Sequence, residues 1–222
     1  MPVSESTTVR DLAANSLAAV KIFEKLGIDY CCGGKRPLAE VCWEKGYDPE
    51  NVRNELEAAI AGPQTSDRDW NTAPLAELID HIVSTHHEYL RRELGPLEAR
   101  LEKVYRVYNE RYGPTLTGLP EVFSALRSEL ELHIQKEEMI LFPAIIGESP
   151  FVSSPIRVME AEHDSAGQAL TRVREITKDF AVPDYACVTF RALMSGLAEL
   201  EQDLHRHIHL ENNILFPRAE KS

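Results

Sequence analysis

The sequence predicts an all-α protein, an antiparallel four-helix bundle preceded by a small helical block. Three observations predict it. Apolar residues recur at threes and fours through four long segments after residue 73, with short connections between them. One phrase, H-I-x-x-E-x-x-I-L-F-P, is written twice, as His133 to Pro143 and as His207 to Pro217. Between the bundle and the residues before it, Gly62-Pro-Gln-Thr-Ser-Asp67 has the composition of a linker. The expected organisation is a small helical domain over 1–62, a linker over 63–72 and the bundle over 73–222.

The first block reads as short helices. From Val9 to Leu26 the chain is amphipathic, with Leu12, Leu17, Val20 and Phe23 on one side, and Gly27 stops it. After the turn Ile28-Asp-Tyr-Cys-Cys-Gly-Gly34, a second helix starts near Pro37 with Leu38, Val41 and Cys42 buried. Gly46 to Pro49 breaks it, and Val52 to Ile60 makes a third. Roughly fifty residues bury only a marginal core, so this block is expected to lean on the larger domain or on a second copy of the chain. The latter keeps a homodimer open.

In the bundle, the first helix starts at Pro74 and carries the stripe Ile79, Val83, His87, Leu90, Leu94, Leu97, Leu101 and Val104. His87 thus faces the core and its neighbour His86 does not. Gly95-Pro96 is expected to bend or interrupt this helix and Gly113-Pro114 to end it. The second stripe is Phe123, Leu126, Leu130, His133, Glu137 and Ile140, closed by Pro143. The third is Ile156, Met159, His163, Ala166, Leu170, Val173 and Ile176, broken at Val182-Pro183-Asp184. The fourth is Phe190, Leu193, Leu197, Leu200, Leu204, His207, Glu211 and Ile214. Each helix therefore carries one histidine on its buried stripe.

A single His four residues from a Glu is common on any solvated helix, and a lone His in an apolar stripe is more often a hydrogen-bonded core residue. Repetition in register changes the reading. A helix with one buried His followed by a helix with His-x-x-x-Glu occurs twice, first as His87 with His133 and Glu137, then as His163 with His207 and Glu211. Residues four apart share a helix face, so about a pseudo-twofold these six side chains converge. Six buried polar groups are prohibitively costly unless something satisfies them, and metal ions do so. Four imidazoles and two carboxylates are too many for one tetrahedral zinc. They suit two octahedral ions with both carboxylates bridging and open positions left over, and iron is favoured over zinc or manganese. Around this set, Glu129 lies one turn before His133, and Glu162 precedes His163. Either is a candidate acid or proton carrier outside the ligands, with solvated helix charge as the bland alternative. His205 and His209 lie about 200° around the helix from His207 and, with His81 and His86, read as surface or outlying residues. Tyr108 falls about 30 Å beyond His87 on a straight helix, too far to be a ligand.

Cys31 and Cys32 are a separate signal. Adjacent cysteines close a strained ring if bonded to each other, so they are better suited to exchange with a partner thiol or to a soft metal. Lys35, Arg36 and a helix start near Pro37 would lower a thiol pKa, while small apolar filling beside a Gly-Gly turn is the plain alternative. Four cysteines do not make the framework of a secreted disulfide scaffold, and reduced thiols are expected. With 24 basic against 36 acidic residues the net charge is −12, which argues against nucleic acid or an anionic membrane surface as partner. The start of the chain lacks a basic and apolar leader, and no run is apolar enough to span a bilayer, so a cytoplasmic protein is expected.

Asp29-Tyr-Cys-Cys-Gly-Gly-Lys35 followed by His133-x-x-x-Glu137, Glu162-His163-Asp164 and His207-x-x-x-Glu211-Asn-Asn resembles the RIC family, the iron–sulfur cluster repair di-iron proteins, over nearly the whole chain. The resemblance implies a short cysteine-bearing domain joined to a hemerythrin-like bundle. It also implies two non-haem iron ions, oxo- or hydroxo-bridged, held by His87, His133, Glu137, His163, His207 and Glu211, and a role in restoring clusters damaged by nitric oxide or peroxide. Partners would then be damaged iron–sulfur proteins, with nitric oxide or dioxygen as small ligands. Some relatives have a further His between the first two ligand helices, and this chain has Tyr108 in that neighbourhood. Iron delivery and nitric oxide reduction both fit open coordination positions, so whether the chain is an enzyme stays open. The rival readings are a hemerythrin-like dioxygen or nitric oxide binding or sensing protein and, disfavoured by the imidazole-rich set, a ferroxidase.

Overall fold

The computed structural model describes residues 3–4, 6–61, 68–112 and 116–221. Half of the expected linker, residues 63–67, and the Gly113-Pro114 terminator lie outside the described residues. Within them every regular element is helical, and the one extended pairing is an isolated bridge between Thr8 and Pro37. No helix among the described residues is long and apolar enough to cross a membrane. By packing density the chain forms two compact units, one of Met1–Leu78 with His205–Ser222 and the other of Ile79–Leu204.

In the first unit, the amphipathic run from Val9 to Leu26 is two helices rather than one. Thr8 caps α1 (Val9–Asn15) by accepting the Asp11 N–H, and Ser16 does the same for α2 (Leu17–Leu26) at Ala19. Ser16 is extended, at φ −155° and ψ 114°, because its hydroxyl offers the next helix a cap that a continuous helix would not use. Gly27 ends α2 with φ +61°. Next in the chain are α3 (Leu38–Glu44) and α4 (Pro49–Ala61). Val9, Phe23, Tyr30, Cys42 and Leu56 are at the centre of this core, each at most 1% exposed. The C-terminal segment belongs to the same unit. Arg206 grips the Glu24 carboxylate through Nε and Nη2 at 2.8 and 3.0 Å, and Arg218 donates to the Trp70 and Ala73 carbonyls.

The second unit is the bundle core. Its helices are α5 (Leu75–Ile82), α6 (Glu88–Tyr112), α7 (Leu119–Lys136), α8 (Phe142–Ile146), α9 (Ser153–Thr177) and α10 (Val188–Leu210), while the last helix, α11 (Phe216–Ala219), lies in the first unit. Some elements extend past the unit's bounds. Most of the apolar stripes pack as the periodicity requires: Leu94, Leu97 and Leu101 of α6, Phe123 and Leu126 of α7, Leu170 of α9 and Leu193 and Leu197 of α10 share one cluster, but Ile140, expected on the second stripe, is exposed because it lies past Glu137 in a widened turn. Helices α6 and α10 come so close that a Cβ on Gly196 would lie 2.6 Å from Leu97 Cδ2. Helix α9 stops at Thr177, before the Val-Pro-Asp break, because Lys178, Asp179 and Phe180 all take positive φ.

The expected interruption at Gly95-Pro96 does not occur. Helix α6 runs through Pro96, held between the fully buried Leu94 and Leu97. The irregularity lies elsewhere, in three π-helical turns at Val83–His87, Glu137–Leu141 and Glu211–Leu215. Each closes with an N–H reaching back five residues: Glu88 to Val83, Phe142 to Glu137 and Phe216 to Glu211. Pro143 and Pro217 therefore do not end the chain's helical path. They sit in the first turns of α8 and α11, where a missing N–H is tolerated.

Phe123, 1% exposed in the centre of the bundle core, sets the scale of packing here. Phe123→Ala should lower unfolding stability by about 3–5 kcal/mol, read as a shift of the urea midpoint at unchanged slope.

Candidate metal centre

Two of the three π-turns begin at a carboxylate of the repeated phrase and the third ends at a histidine, so all three stand at the expected ligands. Glu137 and Glu211 each come four residues of regular helix after their histidine, and the ring and carboxylate meet: His133 Nε2 to Glu137 Oε1 is 3.3 Å and His207 Nε2 to Glu211 Oε1 is 3.2 Å. His87 Nε2 lies 3.3 Å from the other Glu137 oxygen, and His163 Nε2 lies 3.0 Å from His133 Nε2. Both carboxylates have no exposed surface, and the four histidines are at most 3% exposed. His87, Glu137, His207 and Glu211 offer ligand atoms all within 4.8 Å of one another, and so do His133, Glu137, His163 and Glu211. The two groups have Glu137 and Glu211 in common.

The outer nitrogens fix what the inner ones can do. His87 Nδ1 is 2.7 Å from Glu138 Oε1, and His133 Nδ1 is 2.9 Å from Glu162 Oε2. An ionised carboxylate only accepts, so each Nδ1 carries the proton, and in the neutral ring each Nε2 is left with a lone pair aimed inward. Burial alone would raise the Glu138 carboxyl, but hydrogen bonds from Arg91 and His87 outweigh it and hold it below the usual carboxylate range. The same holds at Glu162, where Lys136 and His133 overcome burial. The Nε2 lone pairs of His87 and His133 face Glu137 oxygens at 3.3 Å, an approach that repels, and a cation between them removes the repulsion. This donor set, with two carboxylates common to two groups of imidazoles, fits metal ions. The ligand atoms stand close enough together to hold a metal ion.

At the other end of the chain, the Asp29 side chain organises the cysteine turn. Its Oδ1 accepts the N–H groups of Cys31 and Cys32 at 2.9 and 3.0 Å, and its Oδ2 accepts that of Gly33 at 2.8 Å. A Cβ on Gly34 would stand 2.6 Å from the Tyr30 carbonyl oxygen, so only glycine lets the turn close there. Cys31 and Cys32 are reduced, with sulfurs 3.7 Å apart.

The Hemerythrin HHE cation binding domain matches residues 78–219, and the ScdA_N domain, described as a domain of unknown function, matches residues 5–60. Proteins named iron-sulfur cluster repair protein YtfE from Citrobacter koseri and from Escherichia coli O17:K52:H18 are each 42% identical to this chain over 211 residues, 94% of either length. The protein of that name from Pectobacterium carotovorum is 42% identical over 216 residues, 95% of this chain and 97% of its own. The chain belongs to the iron–sulfur cluster repair family.

Against the family pattern, the structure brings together all six residues expected from periodicity and places Glu162 on His133. Glu129, expected beside His133, is exposed and belongs to neither group. Glu138 was not legible, since on an unbroken helix it points about 100° away from Glu137. The surface alternative fails for His86 and His209. His86 is buried with Nδ1 2.9 Å from Asp203, and His209 is buried beside Tyr30 with Asn213 donating to its Nδ1 at 2.8 Å. Burial lowers His209 to about 4, so it stays neutral. Nor is the Cys31 thiol lowered. Its hydrogen bond to Cys32, burial and the Asp29 charge all push it up, and the nearby Arg36 is taken by Glu40 and Glu44. Tyr108 is remote in role as well. Its hydroxyl accepts the Cys187 N–H at 2.7 Å at the start of α10.

Glu138→Gln and Glu162→Gln should each weaken metal affinity about 10–100-fold, measured by competition with a chromogenic chelator, while the helical circular dichroism is retained. Cys187 is exposed, and the Tyr108 hydroxyl with the first N–H groups of α10 lowers its thiol to about 7, whereas Cys31 and Cys42 are raised. Iodoacetamide should label Cys187 before those two at neutral pH, with a rate that is half-maximal near pH 7.

Proposed function

We propose that this chain is a di-iron protein that restores iron–sulfur clusters damaged by nitrosative or oxidative stress. The observation that carries the reading is the pair of buried groups with Glu137 and Glu211 in both. His87 and His207 would hold one iron, His133 and His163 the other, and the two carboxylates would bridge, with oxide or hydroxide completing the bridge. Bound there, the iron pair supplies one-electron chemistry and open positions for a diatomic ligand.

The chain's own residues do the rest. Glu138 and Glu162 hold the Nδ1 protons, so that His87 and His133 present neutral Nε2 donors. Four neutral imidazoles with two carboxylates deliver less negative charge to the metal than a carboxylate-rich set would. That favours ligand binding and mild electron transfer over formation of a strong oxidant. Complete burial of the donors limits access to small molecules, which suits nitric oxide or dioxygen. Iron delivery and nitric oxide capture and reduction both fit this site. The relatives are named for cluster repair, and this chain shares their two domains over nearly its full length. On this reading the Cys31–Cys32 turn meets the damaged iron–sulfur client, in the cytoplasm. A dioxygen carrier or sensor gives that turn no task and is the weaker reading.

The purified chain should contain two irons with oxo-bridge absorption in the near ultraviolet, and Glu211→Ala should lose both. Loaded protein should restore activity to a nitric-oxide-damaged iron–sulfur enzyme, and Cys31→Ser with Cys32→Ser should reduce that recovery. A mononuclear zinc content, or no recovery with fully iron-loaded protein, would overturn the proposal.

A further inference from the structure

The Cys31–Cys32 turn and the second copy of the repeated phrase lie in one compact unit, and the contacts between them are specific. Asn213 Nδ2 donates to the Tyr30 carbonyl oxygen at 2.9 Å and reaches His209 Nδ1 at 2.8 Å. His209 in turn meets the Tyr30 ring edge-on, with centroids 5.4 Å apart, and bonds to the backbone at Tyr30 and Ala13. Tyr30 is 1% exposed, and its hydroxyl donates to Glu24, which Arg206 holds.

The geometry matters because the Tyr30 carbonyl and the Cys31 N–H belong to one planar peptide unit. Its oxygen is held by Asn213 and its N–H by Asp29 Oδ1 at 2.9 Å. The plane cannot turn while both ends are held, and Cys31 is buried, so an electrophile reaches its sulfur only when the plane is released. The two residues that hold Tyr30 from the other side, His209 and Asn213, lie two before and two after Glu211. Asn213 sits in the middle of the π-turn that Glu211 begins, so both residues belong to one local distortion of the helix.

From this we infer that Asn213 and His209 are positioning residues that couple metal bound at His207 and Glu211 to the Cys31–Cys32 turn, so that iron keeps the buried Cys31 thiol closed and its loss opens it. The inference rests on the di-iron reading above. A metal chelated by residues 207 and 211 stiffens the frame from which 209 and 213 project, and by linkage whatever opens the turn must weaken the metal by the same factor. The consequence is an order of events: the Cys31 thiol becomes available as iron leaves, which suits a protein whose thiol acts on the client once its metal has been handed over.

The test is anaerobic modification of the full chain with N-ethylmaleimide, before and after loading with ferrous chloride. Peptide mapping separates Cys31 and Cys32 from Cys42 and Cys187, and iron is assayed on the same samples. In the parent protein, iron should slow modification of Cys31 about five-fold or more and leave Cys187 unaffected. In Asn213→Ala Cys31 should react faster and lose its dependence on iron while iron is still bound. Asn213→Asp, which keeps the size but lacks the donor, should do the same if the first variant folds poorly. Tyr30→Phe retains the carbonyl and should retain the dependence. Equal rates with and without bound iron overturn the inference. So does full protection in both Asn213 variants, which would mean that iron shields the sulfurs directly. A parent chain that takes up no iron fails at the assay and removes the di-iron reading together with this one.

Discussion

Glu137 and Glu211 have no exposed surface, yet each is a carboxylate that would ordinarily cost several kcal/mol to take out of water. Four helices bring imidazole nitrogens to them, and the arrangement is tenable only if positive charge stands among the donors. Protons could supply some of it, but Glu138 and Glu162 already claim the Nδ1 protons of two of the rings, leaving lone pairs inward. Metal bound among the donors would answer the whole set at once. Much of the bundle is built to this end. Leucine layers from Leu90 to Val104 and from Leu193 to Leu204 make an apolar scaffold, so that the few polar side chains in it have nowhere to turn but toward one another.

The π-turns are the local device that makes the phrase work. Up to the glutamate the helix is regular, which keeps His and Glu on one face. Beyond it, the ring of Pro143 or Pro217 would strike the carbonyl four residues back, at Met139 or Asn213, and the proline has no N–H to offer. Widening one turn moves that carbonyl aside and lets the chain continue as a short helix, with Phe142 and Phe216 at most 2% exposed beneath the site. The Phe142 ring stacks on His87 at 5.7 Å, so the residue next after the distortion also supports a ligand.

The same distortion decides where the sequence could be read and where it could not. Stripe periodicity finds His87, His133, His163 and His207 because regular helix leads up to each of them from at least one side. It misses Glu138 because the widened turn rotates the residues beyond Glu137, and it misplaces His86 for the same reason, since Val83–His87 is itself such a turn. His209 and Asn213 escape for a different cause. Their partners are on Tyr30, about 180 residues earlier, and no spacing within a helix reports a contact so distant in sequence. Ser16 breaks the first amphipathic run because a hydroxyl that can cap a helix competes with continuing one, and the apolar pattern is blind to that competition.

The two copies of the phrase also differ in a way that the shared residues conceal. In the second, the positions pointing away from the ligands are polar and engaged: Arg206 with Glu24, His209 and Asn213 with Tyr30, Arg218 with the backbone at Trp70 and Ala73. The matching positions of the first copy are Leu132, Gln135, Met139 and Ala144, with Leu132 61% and Met139 75% exposed. The inward faces are constrained alike, because each copy gives one His and one Glu to the buried donor set. The outward faces are not, because only the second copy has the N-terminal helices in its own compact unit to satisfy. Symmetry in this chain is thus a property of the donor set. The asymmetry records which copy has the cysteine-bearing block as its neighbour.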